Sequence, residues 1–152
     1  CVRTHVLADL LAHVAGVAVG REAVEQDPEP FPGAEAEREQ FGRKICAHQA
    51  VRNMLVEART KLEACRHMLY HGAWLATEGR DCSVESSMAK LFVGDTAVEI
   101  VLTCQRVMGA YGCARDYDME RYVRDIVCMP IVGGSSNMQK NNISNRLGLP
   151  TK

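Results

Sequence analysis

The sequence has no C-x-x-C pair, no apolar run of membrane-spanning length, no excess of either charge sign and only 5% aromatic residues. Each absence excludes something. The seven cysteines, Cys1, Cys46, Cys65, Cys82, Cys104, Cys113 and Cys128, are scattered and odd in number. A disulfide framework favours even pairs in a small loop-rich chain, and structural zinc favours clustered ones, so reduced thiols in a cytoplasmic compartment are expected. The longest apolar stretch, Val6 to Val19, contains Asp9 and His13, is too short to span a bilayer and makes a poor signal segment. It reads as an amphipathic core helix. With 18 Lys+Arg against 19 Asp+Glu, the net charge of −1 argues against a nucleic-acid or membrane-surface partner. Alternating β-branched runs are nearly absent, which argues against a sheet. Scarce aromatics leave the packing to Leu, Val, Ala and Met.

What is present is an ordinary globular balance: 152 residues, 47% apolar and 24% charged, enough for one compact domain over residues 1–152. The sequence opens on Cys1 rather than Met, which leaves a processed product and a piece of something longer as open readings. Apolar residues recur at three- and four-residue spacing. The first helix is expected from about Thr4 to Val24, followed by a loop at Gln26 to Gly33, where three prolines and a glycine block propagation. A second element restarts at Ala34. The longest helix is expected from about Ala47 to Thr77, with the stripe Val51, Leu55, Ala58, Leu62, Cys65, Leu69 and Ala73 and with Gly79 just beyond its end. Ser83 is placed to cap the next helix, with Glu85 in its first turn. Met88, Phe92, Thr96, Ile100, Cys104 and Met108 form that helix's expected stripe, ending near Gly109. A short helix over Met119 to Ile126 and a last one from Ser136, stopped by Gly148-Leu149-Pro150, complete an all-α, antiparallel four-helix bundle.

Glu63, His67 and His71 stand four residues apart on one helix face, and bundles do build metal sites from such faces. No His follows a Glu by three residues, so the di-iron signature is absent, and a solvated helix face is the better reading. Gly109-Ala110-Tyr111-Gly112 and Gly133-Gly134-Ser135-Ser136 fit neither a dinucleotide fingerprint nor a P-loop nor a nucleophile elbow. The second loop places Ser135 and Ser136 at a helix start, where a plain cap outweighs an anion site. Arg38, shortly before Phe41-Gly42, suits a phosphate or an aromatic ring, although an Arg capping a helix end is the commoner arrangement.

The order of these segments resembles the C-terminal helical domain of the acyl-CoA dehydrogenases, flavoenzymes that oxidise acyl-CoA thioesters at the α,β carbons. "EREQFGRKICAHQAVRNMLVEA" resembles the family's R-x-x-F-G and following helix. "ACRHMLYHGAW" resembles its helix ending Ala-Ala-Trp, and "SSMAKLFVGDTA" its A-x-x-A-K-x-F stretch. "GAYGCARDYDMERYVRD" resembles G-G-x-G-[YF]-x-x-E-Y-P-v-E-R-x-x-R-D, and "IVGGSSNMQKNNI" resembles I-Y-E-G-T-S-E-I-Q-R-x-x-I. The likeness runs from about Val6 to Leu149. It implies a bundle that also forms the oligomer interface, with the adenine-diphosphate end of FAD against this domain of a neighbouring subunit. Carried over, Arg38 would lie near the pyrophosphate with Gln40 and Phe41 alongside. Gly109 and Ala110 would admit the cofactor to the backbone, and Ser135 and Asn137 would sit beside the flavin nucleotide.

Several positions depart from the family pattern. Gly133 stands where the common catalytic Glu removes the α-proton, and glycine has no side-chain acceptor. Its N–H could still donate to the thioester carbonyl. Val132 replaces an aromatic, Arg106 a Gln, Ala110 a second glycine and Asp118 a Pro. Some members carry the base on the first helix of this domain, where Asp9 is the only acid near Val6 to Asp9. The resemblance thus implies the C-terminal domain of an FAD-dependent dehydrogenase acting on an acyl-CoA or acyl-carrier thioester, in a homo- or hetero-oligomer. The alternative is a non-catalytic structural subunit that pairs with a catalytic one. No catalytic residue and no metal ligand is assigned. The chain on its own lacks the family's middle β domain and is expected not to oxidise acyl-CoA.

Overall fold

A computed structural model describes residues 38–150. The helix expected over Thr4 to Val24, with Asp9 in it, the Pro-rich loop and the restart at Ala34 lie outside the described residues. The described part opens with a minimal hairpin, β1 (Glu39–Gln40) paired antiparallel with β2 (Arg43–Lys44), Glu39 opposite Lys44. A 3-10 turn, Ile45–Ala47, leads into α1 (Gln49–Thr77), and α2 (Ser83–Met108) follows a short loop. A second 3-10 turn, Gly109–Cys113, precedes α3 (Met119–Ile126), and α4 (Ser136–Arg146) comes last. These four helices carry the expected all-α bundle. The longest one starts at Gln49 rather than Ala47, because Ile45–Ala47 winds as the tighter turn that closes the hairpin: the Ile45 N–H donates to the Arg38 carbonyl at 2.9 Å.

Helices α1 and α2 pack antiparallel. Leu55 clusters with Val107, Lys61 Nζ lies 2.6 Å from Glu99, and a Cβ added at Gly72 would lie 3.9 Å from Ser86 Oγ. Between them Leu62, Cys65 and Leu69 meet Ala89, Val93, Ala97, Ile100, Val101 and Cys104, and Met119, Tyr122 and Ile126 of α3 extend the same core. Burial of this apolar surface, at about 25 cal/mol per Å², is the main stabilising contribution.

Both expected stripes shift part of the way along. On α1 the buried positions Leu55, Ala58, Leu62, Cys65, Leu69 and Gly72 alternate steps of three and four, so Gly72 is buried and Ala73 exposed. On α2 the expected Thr96, Ile100, Cys104 and Met108 are buried, but a stripe built only of fours does not hold along the whole helix. Each four-residue step overshoots a full turn by about 40°, so Met88 is half-buried, Phe92 is exposed, and Ala89 and Val93 take the core places.

Ser83 does not cap α2. It is the first helical residue, and Asp81 Oδ1 accepts from the Ser83 N–H at 3.1 Å and from its hydroxyl. The capping group is therefore the carboxylate two residues earlier, and the hydroxyl and N–H of Ser83 hold the Asp81 carboxyl below its ordinary range. At α4 the expected cap is observed: Ser135 Oγ accepts from the Met138 N–H at 3.4 Å. Helix α4 runs antiparallel to α2, fixed by Ser136 Oγ donating to Asp95 at 2.7 Å and by Arg146 pairing with Asp81 at 3.4 Å. Among the described residues, no helix is long and apolar enough to cross a membrane.

Candidate functional site

The hairpin turn determines where the first group of expected site residues lies. The type I′ two-residue hairpin loop, one of those that match strand twist, needs positive φ at both central positions. Phe41 has φ 57° and Gly42 φ 75°. A bulky residue rarely adopts this backbone, yet here it lifts the Phe41 ring clear of the body, 92% exposed. The ring meets His48 edge-on, with centroids 6.0 Å apart. His48 in turn ties the hairpin to the start of α1. It accepts from Arg43 Nε at Nδ1 (3.2 Å), and its Nε2 lies 3.0 Å from the Gln40 carbonyl.

Arg38, one residue before β1, reaches across to the far end of α2. Its Nη1 donates to the Met108 carbonyl at 3.2 Å, and its guanidinium lies 5.9 Å from the Tyr111 ring centroid. The arginine therefore does cap a helix C-terminus, where the dipole favours a cation. Gly109 permits the approach: it has φ 63° and ψ −134°, and a Cβ there would stand 3.3 Å from Arg38 Nη1. Arg38, Gln40, Phe41 and Gly109 line one open cleft of about 300 Å³, together with His48, Arg106 and an apolar floor of Ile45, Val51, Met54 and Val107. Ala110, next in the chain and exposed, is not part of the lining.

Ser135 and Asn137 belong to a second place. Asp95, which anchors the start of α4, lies 14 residues before Gly109 along the same helix, on the order of 20 Å at 1.5 Å per residue. Asn137 is exposed there. The turn before α4 is held from inside. Gln139, buried, donates from Nε2 to the carbonyls of Gly134 (3.1 Å) and Gly133 (3.5 Å), and Lys90 Nζ donates to the Met129 carbonyl at 2.6 Å. Burial pushes the Lys90 ammonium below the usual lysine range, with Asp95 opposing. Gly133 is exposed, and a Cβ on it would rest 3.8 Å from Lys90 Cε. Among the described residues the Gly133 N–H has no hydrogen-bond acceptor.

The Glu63, His67, His71 face does other work. Glu63 pairs with Arg59 (2.9 Å) and Arg66 (3.2 Å), and His71 stacks on Trp74. Sequence reasoning missed His48, Tyr111, Lys90 and Gln139. Only His48 carried a signal, since it lies at the start of the expected long helix.

The sequence profile of the acyl-CoA dehydrogenase C-terminal domain matches residues 35–148. The chain belongs to this family. The acyl-CoA dehydrogenase of Bacillus subtilis is 40% identical over 111 residues, 73% of this chain and 29% of that protein. The solved structure of butyryl-CoA dehydrogenase from Megasphaera elsdenii superposes with a TM-score of 0.80 at 27% identity, covering 95% of this chain and 35% of that one. PigA, solved as an FAD complex, superposes with a TM-score of 0.72 at 27% identity, covering 94% of this chain and 33% of that one. The chain thus spans about a third or less of the length of these relatives.

Proposed function

We propose that this chain serves as the C-terminal helical domain of an FAD-dependent acyl-thioester dehydrogenase and supplies contacts to the cofactor and to neighbouring subunits. Its thioester substrate is acyl-CoA or an acyl-carrier conjugate, and its compartment is the cytoplasm. The observation that carries the reading is the meeting of Arg38 with Gly109 at the end of α2. A guanidinium fixed by a protein carbonyl, beside a backbone with no Cβ, suits a phosphate-bearing group lying close to the main chain. In this reading Arg38 and Gln40 hold the pyrophosphate end of FAD, Phe41 packs on its ring system, and Gly109 and Ala110 admit it to the backbone. Ser135 and Asn137, on the order of 20 Å away by helix rise, meet a different stretch of cofactor. Bound FAD supplies the two-electron acceptor for the chemistry.

The donor set fits such a group: the cleft is lined by two guanidiniums and an imidazole, with no carboxylate among its lining residues. At the second place, the N–H of exposed Gly133 can donate to a thioester carbonyl. No side chain at Gly133 can take the α-proton. That specific feature favours a second reading, in which the chain is a non-catalytic member of a mixed oligomer that retains its flavin contacts. Exposed Val127, Ile131, Val132 and Met138 give an apolar surface for subunit contact in either case.

The test is flavin retention. Purified chain, alone and with a catalytic dehydrogenase subunit, is equilibrated with FAD, and bound flavin per chain is read by absorbance. Arg38→Ala should lower bound flavin at least about tenfold, since a charge-assisted hydrogen bond contributes roughly 1.5–3 kcal/mol. Unchanged flavin content in Arg38→Ala would sink the assignment of the cleft.

A further inference from the structure

Helix α4 is held in place differently from the other helices. Its 11 residues carry four asparagines and two serines, side chains that compete with the helix for backbone hydrogen bonds. An isolated helix of that length does not hold in water. Apolar packing does not make up the difference. Its one buried residue is the polar Gln139, its asparagines are exposed and Ile143 is only half-buried. Among the described residues, the apolar core takes no side chain from it. Its hydrogen bonds fall into two sets. One set is internal to the segment: the Ser136 N–H donates to the Pro130 carbonyl at 2.9 Å, and Gln139 donates to the carbonyls of Gly133 and Gly134. The other set ties the segment to α2. The Ser136 hydroxyl donates to Asp95 and Arg146 pairs with Asp81, both in exposed positions where water competes. At the root of the segment, Lys90 donates to the Met129 carbonyl from a partly buried position. A Cβ on Gly94 would stand 3.5 Å from that same carbonyl, so the root lies close against α2.

We propose that residues 130–148 form a strap that opens from α2 about Met129 as one unit while the core of α1, α2 and α3 stays folded. The internal bonds travel with the strap, the two exposed ties break, and the Lys90 bond keeps the root in place. Opening carries Gly133, Ser135 and Asn137 away from α2 together. The Arg38 cleft, built from the hairpin and the far end of α2, is untouched. The strap thus opens and closes the second place alone. The proposal does not depend on the flavin reading, because opening is a property of the chain without ligand.

The experiment is amide hydrogen exchange on the purified 152-residue chain without ligand, read residue by residue by NMR. Corrected for intrinsic rates, amides from Lys140 to Arg146 should exchange at least about a hundredfold faster than those from Val93 to Val101 on α2. Low urea should leave the α4 rates almost unchanged, since local opening exposes little surface, and should speed the α2 rates. Ser136→Ala raises helix propensity but removes the tie to Asp95. It should speed exchange in α4 about threefold to tenfold and leave α2 unchanged. Slower or unaltered exchange of α4 in this variant would show that helix propensity, not the tie, holds it, and would overturn the proposal. Protection in α4 equal to that in α2, or one urea slope for both, would mean that α4 opens only with the whole bundle, which overturns it too. So would a wild-type chain whose α2 amides show no protection. The flavin reading is tested separately by Arg38→Ala, so either idea can fail while the other stands.

Discussion

Arg38 and Met108, 70 residues apart, are joined by a 3.2 Å hydrogen bond that brings the hairpin onto the end of α2. The bond depends on the next residue. Gly109 adopts φ 63° with ψ −134°, a combination open to glycine and costly for any residue with a Cβ. Gly109→Ala should therefore destabilise the fold by roughly 1–3 kcal/mol. It should also displace Arg38 Nη1 slightly and weaken its bond to the Met108 carbonyl, since the new methyl would begin 3.3 Å from Nη1. Urea denaturation measures the first effect, and FAD or ADP titration the second. A variant as stable as wild type would mean that the backbone at this turn relaxes freely, against the geometry described.

The turn before α4 gives a prediction by contrast. Gly133 and Gly134 both have positive φ, 69° and 94°, so alanine is strained at either. The space around them differs. A Cβ on Gly133 meets only Lys90 Cε at 3.8 Å, an ordinary contact, whereas a Cβ on Gly134 would fall 2.6 Å from Gln139 Nε2. Gln139 could move aside only by leaving its bonds to the two glycine carbonyls, and it is buried. Gly133→Ala should cost about 1–2 kcal/mol, and Gly134→Ala about 1–3 kcal/mol more, the cost of buried polar groups left unsatisfied. Equal midpoints in urea would refute the role given to Gln139.

The bundle was legible in the sequence because its strongest signals are local. The Leu55-to-Leu69 stripe, the Ser135 cap and the stop signals at Gly79, Gly109 and Gly148 need no distant partner to be read. Helix phase was less legible: the choice between Gly72 and Ala73, or between Phe92 and Val93, depends on which face the neighbouring helix presents. The Asp81 cap was missed because Asp and Ser compete for the same role, and only the loop geometry decides between them. At the candidate site, the individual residues Arg38, Gln40, Phe41 and Gly109 could be picked out by resemblance, but their meeting could not. It depends on a hairpin turn with positive φ at Phe41 and on a contact across 70 residues. The separation of Ser135 and Asn137 from that cleft follows from the length of α2 and is invisible in a motif.

Cys65 supplies a pH dependence. Burial, the larger influence, pushes its thiol from an ordinary 9.0 up to about 11, against a smaller opposing backbone hydrogen bond. Below pH 9 the thiol is protonated in both folded and unfolded chains and its stabilising contribution is complete. Between about 9 and about 11 the unfolded chain releases this proton while the folded one retains it, so the contribution declines as pH rises and levels off above the folded value. In Cys65→Ala that contribution is missing. The stability difference between wild type and Cys65→Ala should therefore narrow from pH 9 to pH 11 in urea titrations, and a difference that widens would contradict the burial of this thiol. Alkylation at neutral pH should accordingly modify the exposed Cys113 and Cys128 well before Cys65.

The last prediction turns on Gly133. If the α-proton of a thioester is removed in the working assembly, the acceptor must be a side chain at some other position, because this one has none. Purified chain supplied with FAD, butyryl-CoA and a redox dye should show no dye reduction above a protein-free control. It should also promote no exchange of the butyryl α-protons with deuterated water. The exchange assay isolates the base from the flavin: proton loss needs an acceptor near the thioester, whereas dye reduction needs the acceptor and the cofactor together. Exchange without dye reduction would reveal a base among this chain's own residues and remove the support for the non-catalytic reading. Gly133→Glu then asks whether position alone suffices, since its Cβ would make only an ordinary contact with Lys90 Cε, at a backbone cost of about 1–2 kcal/mol. New exchange in that variant, absent from Gly133→Gln, would place the thioester α-carbon within reach of this turn. Equal exchange in both variants would exclude a carboxylate role at this position.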